Sequence, residues 1–207
     1  MNIQPDQAGG ATRRKAEARR ERIISAARSL FAKHGFDGTG MAEIARVSEV
    51  LVGQIYRDFA GKEQLIEAIV ERDVKTLLND PELAAAIASG EEDQLKAWLR
   101  SFIARELDAE TRIILAEILS EASRNARLAE IVMGASDCLR ARIAQAAAIW
   151  VPAPDKETQR LEFADIVLTT SGAILYRQIY GLHHNDKIAA SLFTLVESKI
   201  EELRQHA

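Results

Sequence analysis

Apolar residues recur at helical spacing along most of the chain, whereas the alternating pattern of a half-buried strand is nearly absent. One such stripe predicts a first helix that ends before Gly35, and it consists of Ile23, Ala27, Leu30 and Phe31. Only four prolines interrupt the 207 residues, which leaves room for long helices. The pattern therefore predicts an all-α fold.

The same spacing predicts ten helices, separated by short turns. Asp80 and Pro81 form a helix cap followed by a proline at the first helical position, so a helix begins there, and Gly90 ends it. The predicted ranges are 11–34, 41–47, 51–57, 62–78, 81–89, 91–107, 109–123, 127–150, 156–181 and 186–204.

Charge is distributed unevenly along the chain, although the net charge is only −4. Residues 11–60 contain ten Lys or Arg against six Asp or Glu, a balance of +4, whereas residues 61–207 contain 17 against 24, a balance of −7. A basic N-terminal region on an acidic body indicates that only the N-terminal region meets a polyanion.

The composition, with 47% hydrophobic and 28% charged residues, is typical of a globular protein. Cys138 is the single cysteine, so no internal disulfide is available and a reducing compartment fits. The longest apolar stretch, 166–176, is too short and too polar for a membrane span, and residues 1–22 lack the apolar segment of a secretory signal. We expect a cytoplasmic protein without membrane contact.

Catalytic and metal-binding motifs are missing from the sequence. It has no P-loop, no GxSxG or HExxH motif and no cysteine pair, and its four histidines lack metal-ligand spacing. We therefore expect a protein that is not an enzyme, with no cofactor and no metal. An all-helical enzyme would need a catalytic cluster that the sequence does not contain.

Two of the short helices before residue 60 are separated by a tight turn over 48–50, the arrangement of a helix-turn-helix. Ile44, Val50 and Ile55 would pack together and fix the angle between these helices, and the second helix could then enter a major groove. Periodicity alone fits a compact helical hairpin equally well.

The wider segment distinguishes the two interpretations. The stretches RERIISAARSLFAKHGFDGTGMAEIA and GQIYRDFAGKEQLIEAIV, between Arg20 and Val70, resemble the N-terminal domain of the TetR family of transcriptional regulators. The resemblance implies a helix-turn-helix DNA-binding domain at 11–60, and a helical ligand-binding and dimerisation domain at 61–207. It also implies a homodimeric repressor that binds double-stranded DNA at a palindromic operator and is released by a small-molecule effector.

Positions that match the TetR-family pattern imply which residues contact DNA. Phosphate contacts are expected from Thr39, Gly40, Tyr56 and Lys62. Arg13 and Arg14 belong to a basic arm of the kind that reaches the minor groove, although a solvated run of charges would look the same.

The proposed recognition helix departs from the family pattern. Glu49 stands where the turn usually has a glycine, and Leu51 where a Ser or Thr usually caps the helix. Leucine cannot cap a helix, so Ser48 is the candidate cap, which would start the helix earlier. The groove would then meet Leu51, Val52, Gly53 and Gln54. The apolar members can contact a thymine methyl and the glutamine can pair with adenine.

The body of the chain offers candidates for a dimer interface and a ligand pocket. A seven-residue repeat with a narrow stripe predicts the interface at Leu161, Leu168 and Leu175, with Leu192 on the last helix, although core packing is the alternative. Pocket residues are expected among Trp98, Phe102, Met133 and Cys138, each of which could instead be ordinary core. Arg105, Arg112 and Arg140 could meet an anionic ligand, although surface positions explain them equally well.

Two functions compete on these observations. A ligand-responsive DNA-binding regulator is favoured by the basic arm and by the phosphate-contact positions. A helical small-molecule-binding or interaction protein that has lost specific DNA binding is favoured by the unusual pair Leu51 and Val52.

Overall fold

The computed structural model describes the backbone of residues 7–205 and the side chains of residues 12–205. Within this part of the chain there are ten α-helices, two single-turn 3₁₀ helices and no strand. The helices are α1 (Gln7–His34), α2 (Met41–Ser48), α3 (Val52–Asp58), α4 (Lys62–Leu78), α5 (Pro81–Ser89), α6 (Glu92–Ala104), α7 (Ala109–Ala122), α8 (Ala126–Ala146), α9 (Glu157–Ile179) and α10 (Asn185–Gln205).

The prediction of an all-α fold is confirmed, and most predicted helix ends agree closely with the observed ones. Asp80 caps α5 as expected, because its carboxylate accepts hydrogen bonds from the amides of Glu82 and Leu83. Gly90 ends this helix in the left-handed conformation, with φ of 68°. The first helix begins earlier than predicted, at Gln7. No described helix is long and apolar enough to cross a membrane.

The N-terminal helices share a core that continues beyond residue 60. Helices α1 to α3 bury their apolar faces together with the first half of α4. Ile114 and Ile118 of α7 and Leu128 of α8 complete this cluster. The helix-turn-helix is therefore packed directly on α4, α7 and α8, which also belong to the C-terminal part of the chain.

A second core joins α5, α6, α9, α10 and the end of α8. Trp98, Trp150, Phe163 and Phe193 are its large aromatic members. The Trp150 and Phe163 rings meet edge to face, with centroids 5.6 Å apart, a favourable geometry for two aromatic rings. Helices α9 and α10 pack against each other and against α6, and each leaves one side exposed.

Polar contacts also join α1 to α4 and α7, around the first core. Arg28 donates to the carboxylate of Asp73 on α4 at 2.5 Å and to the hydroxyl of Thr111 on α7 at 3.0 Å. The backbone amide of Phe36, just after α1, donates to the carboxylate of Glu117 on α7 at 3.2 Å. These contacts fix the helix-turn-helix to helices of the C-terminal body.

Candidate nucleic-acid interface and ligand cavity

The angle between α2 and α3 is set by apolar packing. Ile44, Val50 and Ile55 are buried, as the sequence pattern predicts. The amide of Val50 donates to the carbonyl of Ala45 at 3.0 Å, which closes the turn. The second helix of the pair is therefore held rigidly by the first, as a reading helix requires.

The turn itself contains a residue in an uncommon conformation. Glu49 has φ of 55° and ψ of 40°, the left-handed region in which a non-glycine residue costs about 1–2 kcal/mol. The position at which the family pattern usually has a glycine thus has a left-handed backbone, which favours glycine, with a glutamate in it. The expectation that Ser48 caps α3 is wrong, because its hydroxyl donates back to the carbonyl of Ile44 at 2.7 Å. Leu51 occupies the cap position without a side-chain hydrogen bond.

The outward surface of α3 is largely apolar. Leu51 is 74% exposed, Val52 is 43% exposed and Tyr56 is 54% exposed. Gly53 is also exposed, and Gln54 is half-buried. The tyrosine hydroxyl has no hydrogen-bond partner among residues 12–205. This surface can offer a ligand van der Waals contact with base methyl groups, one free hydroxyl, the amide of Gln54 and the exposed guanidinium of Arg57.

An ion pair at the far end of α3 holds the helix against α1. Arg19 donates to both carboxylate oxygens of Asp58, at 2.7 and 2.9 Å. This guanidinium holds the pKa of the Asp58 carboxyl below its ordinary value. Arg20 donates to the Asp58 carbonyl at 3.2 Å, and its guanidinium lies over the Phe59 ring. The sequence alone does not reveal this cluster, because Arg19 and Asp58 are 39 residues apart and no local pattern joins them.

Two expected phosphate ligands face inward. The Thr39 side chain is buried, and its hydroxyl donates to the carbonyls of Leu30 and Gly35, so this hydroxyl is occupied within the fold. The ammonium group of Lys62 donates to the carbonyl of Phe36 at 2.7 Å and lies 4.4 Å from the centre of that ring. Two donor hydrogens of this half-buried lysine stay available, whereas Thr39 is a structural residue.

Gly40 and the N-terminal arginines are accessible. Gly40 precedes α2 in an extended conformation and is exposed, so no side chain covers the first-turn amides of that helix. Arg13 and Arg14 are exposed but belong to α1, and Arg13 pairs with Glu17 at 2.9 Å. The predicted arm is therefore helical here, because α1 continues through it.

An apolar cavity of about 320 Å³ lies between α4, α6, α7, α8 and α9. The apolar side chains in its wall are Val70, Val74, Leu77, Phe102, Ile103, Leu107, Leu115, Ile118, Leu119, Val132, Ala135, Leu139, Leu168, Ile174 and Leu175. A groove of about 560 Å³ between α1 and α4 is larger, but charged side chains line it. The smaller cavity is the better candidate for a small apolar molecule.

Of the four expected pocket residues, Phe102 lines this cavity and the other three do not. Phe102 lines it, whereas Trp98 lies behind, stacked on Phe102 with ring centroids 5.0 Å apart. Met133 and Cys138 are exposed and lie outside this cavity, although Cys138 lines a separate groove of about 470 Å³ between α4 and α8. The cavity side of α8 carries positions 132, 135, 136 and 139 instead. Residue type suggested the wrong side chains, because the phase of α8 decides which ones face inward.

Polar groups in the cavity wall are few. Asp73 and Arg105 are the charged ones. Ser136 and Ser171 contribute hydroxyls that have no hydrogen-bond partner among residues 12–205. Both amide groups of Gln178 are occupied, since it donates to the Arg105 carbonyl at 2.8 Å and accepts from the Leu107 amide at 2.9 Å.

The leucines expected at a dimer seam face the protein interior instead. Leu168 and Leu175 line the cavity, and Leu161 and Leu192 pack half-buried against the C-terminal core. All four leucines are half-buried within one protomer, and a dimer interface through them stays a prediction. The outward side of α9 and α10 carries other exposed apolar residues, namely Tyr176, Tyr180, Ile188 and Leu195.

Comparison with known proteins relates this geometry to one family. The family model for bacterial regulatory proteins of the tetR family matches residues 23–69, from α1 into α4. The HTH-type transcriptional regulator UidR of Escherichia coli is 36% identical over 64 residues, 31% of this chain and 33% of UidR. The chain thus matches about a third of the length of that relative.

Solved structures extend the likeness over most of the chain. Salmonella enterica GusR superposes with a TM-score of 0.66 at 25% identity, covering 89% of this chain and 96% of GusR. A SmeT–triclosan complex superposes with a TM-score of 0.60 at 21% identity, covering 85% and 90% of the two chains. The second likeness shows that the fold is shared.

Proposed function

We propose that this chain is a TetR-family transcriptional regulator, a ligand-responsive homodimeric repressor that a small molecule releases from its DNA operator, because the tetR family model matches residues 23–69 and GusR superposes over 89% of the chain. One observation carries this proposal. Helix α4 begins at Lys62, beside the helix-turn-helix, and its second half lines the apolar cavity through Val70, Val74 and Leu77. A molecule in the cavity therefore touches the helix on which the reading unit is packed.

The proposed DNA contacts use α3 for bases and its surroundings for phosphates. Leu51 and Val52, exposed at the start of α3, would contact thymine methyl groups, with Gln54 beside them. The Tyr56 hydroxyl, the ammonium of Lys62 and the first amides of α2 would bind the backbone. The basic beginning of α1 adds attraction that is independent of sequence. Such a regulator acts where the chromosome is, in the cytoplasm.

The proposed dimer uses the outward side of α9 and α10. Tyr176, Tyr180, Ile188 and Leu195 are exposed large apolar side chains in this region, and such side chains mark interaction surfaces when they are contiguous. Two-fold pairing would bring the α9–α10 pairs of two protomers together. The reading helices must then reach successive major grooves, about 34–36 Å apart.

Effector binding would work through α4. A molecule in the cavity contacts Val74 and Asp73, and a tilt of α4 would change the separation of the two reading heads. By linkage, effector and DNA must weaken each other's binding by the same factor, typically worth about 1–3 kcal/mol.

Salt-dependent binding to the DNA that flanks the protein's own coding region tests the proposal. We expect tight binding with a steep salt slope, and the loss of about one unit of slope in Lys62→Ala. Tyr56→Phe should weaken binding without changing the slope, since no charge is lost. Lys187→Ala, an exposed lysine at the start of α10, is the matched control and should retain the wild-type slope.

The alternative function gives a different result in the same assay. A family member that has lost specific DNA binding would prefer its flanking DNA over random DNA by no measurable factor. The exposed Leu51, without a capping hydrogen bond, is the observation that favours this alternative. A preference for the flanking DNA that disappears in Leu51→Asp excludes it.

A further inference from the structure

Only one of the two charged side chains in the cavity wall has a partner. The carboxylate of Asp73 is paired with Arg28 at 2.5 Å. Arg105, in the loop after α6, makes no side-chain hydrogen bond or ion pair with any of residues 12–205. The cavity is therefore an apolar space with one unpaired positive charge at its wall.

The loop that carries Arg105 is fixed from inside the protein. Gln178, a buried residue of α9, donates to the carbonyl of Arg105 and accepts from the amide of Leu107. Both halves of its amide thus bind the backbone of this loop. A buried side chain that uses all its polar atoms on one loop holds that loop in place. Gln178 is a positioning residue for Arg105.

We propose that the effector is a monoanionic amphiphile, with an aliphatic or aromatic body in the cavity and a carboxylate or sulfonate paired with Arg105. This inference rests on the proposed function, since it names the chemical class of the molecule that the cavity binds. The cavity volume of about 320 Å³ lies at the low end of the range of about 300–1,000 Å³ that small-molecule pockets occupy. Ser136 and Ser171 leave two hydroxyls free for one further polar group.

Ligands of other charge fit these groups less well. A cation would meet the unpaired Arg105, and the nearest carboxylate that could attract it is already bound to Arg28. A neutral molecule fills the apolar space and gains only a weaker hydrogen bond from Arg105. An anion gains a charge-assisted hydrogen bond there, which is stronger than one between neutral groups.

Three probes with the same ten-carbon body and different head groups test the class: decanoate, decan-1-ol and decylamine. Their affinities can be measured by displacement of the fluorescent probe N-phenyl-1-naphthylamine from the full-length protein. Because Arg105 is exposed, we expect decanoate to bind about two- to fivefold more tightly than decan-1-ol, the range for an exposed charged contact, and decylamine to bind weakest. The preference for decanoate should fall as NaCl is raised.

Variants of Arg105 and Arg100 test whether Arg105 causes the preference for decanoate. Arg105→Gln should bind decanoate and decan-1-ol equally, whereas Arg105→Lys should retain part of the preference. Arg100→Gln is the matched control, because Arg100 is an exposed arginine of α6 that pairs with Glu197 and lies outside the cavity. It should retain the full preference. Circular dichroism identifies any variant that fails to fold. If Arg105→Gln does not fold, the preference of Arg105→Lys for decanoate and the salt dependence of the wild type test the proposal instead.

The outcomes separate this inference from the function on which it rests. Equal affinities for the three probes, or an unchanged preference in Arg105→Gln, would overturn the assignment to anions and leave a ligand-responsive regulator intact. If none of the probes binds to the wild type, the inference fails together with the proposed effector cavity.

Discussion

Removal of Arg28 should loosen the attachment of the helix-turn-helix to the cavity wall. This side chain of α1 pairs with Asp73 on α4 at 2.5 Å and donates to Thr111 on α7 at 3.0 Å. It is 12% exposed, and the Asp73 side chain is 35% exposed. The link is therefore neither a surface pair nor a fully buried one, and its strength should lie between those of the two classes.

The exposures set the expected magnitude. Exposed ion pairs contribute about 0.2–1 kcal/mol, whereas removing one partner of a buried pair costs about 3–5 kcal/mol. We expect Arg28→Met to lower the free energy of unfolding by about 1.5–3 kcal/mol, since methionine keeps the apolar stem and leaves Asp73 partly solvated. In a double-mutant cycle with Asp73→Asn, the interaction energy should be about 1–2 kcal/mol.

Urea unfolding followed by circular dichroism measures these values, at one fixed protein concentration because the proposed dimerisation would make stability depend on concentration. Arg13→Met is the control, because Arg13 pairs with Glu17 on the surface and its side chain is 83% exposed. Its replacement should change the free energy of unfolding by less than about 0.5 kcal/mol. Additive effects of Arg28→Met and Asp73→Asn, within about 0.3 kcal/mol, would refute the link.

Three further predictions, with four replacements, test other parts of the structure. Glu49→Gly should raise the free energy of unfolding by up to about 1 kcal/mol, and with it the thermal midpoint, because it relieves the strain of the left-handed backbone. A lower midpoint would show that no strain is relieved. Charges introduced by Tyr176→Glu and Leu195→Glu should produce monomers in sedimentation, and an unchanged dimer would locate the interface elsewhere. The pKa of Asp58 is lowered in the folded state, so its pairing stabilises the fold above the unfolded pKa, and this contribution is lost as pH falls through the folded pKa. Asp58→Asn should therefore make the free energy of unfolding fall less steeply with pH below about pH 4. Acid unfolding identical to that of the wild type would contradict the pairing with Arg19.

The helices could be predicted from the sequence because their signals are local. Apolar spacing locates α1 to α10, and side-chain chemistry locates ends such as the cap at Asp80 and the stop at Gly90. The packing of Ile44, Val50 and Ile55 follows from the same spacing. Each of these features depends on residues that are close together in the sequence, so a local sequence pattern is enough to predict it.

The details of the sites depend on long-range packing, which the sequence does not reveal. Ser48 looked like a cap for α3, but a carbonyl within its own helix competes for the hydroxyl. Leu168 and Leu175 have the spacing of a seam, and the position of α8 makes them cavity wall instead. The link from Arg28 to Asp73 joins residues 45 positions apart, beyond the reach of any periodic pattern.

The position of Asp73 gives one side chain a place in both the cavity wall and the attachment of the helix-turn-helix. The effect of one ligand on the binding of another is typically about 1–3 kcal/mol in allosteric proteins, similar to the strength expected for the single link to Arg28. A molecule that displaced or reoriented Asp73 would therefore change a contact whose free energy is large enough to couple the two sites, without any large rearrangement of the cores. Because the link runs from α4 to α1, the change would reach the helix that packs against α2 and, through Arg19 and Asp58, holds the end of α3. We therefore expect Arg28→Met to retain DNA binding while it reduces the factor by which an effector weakens that binding.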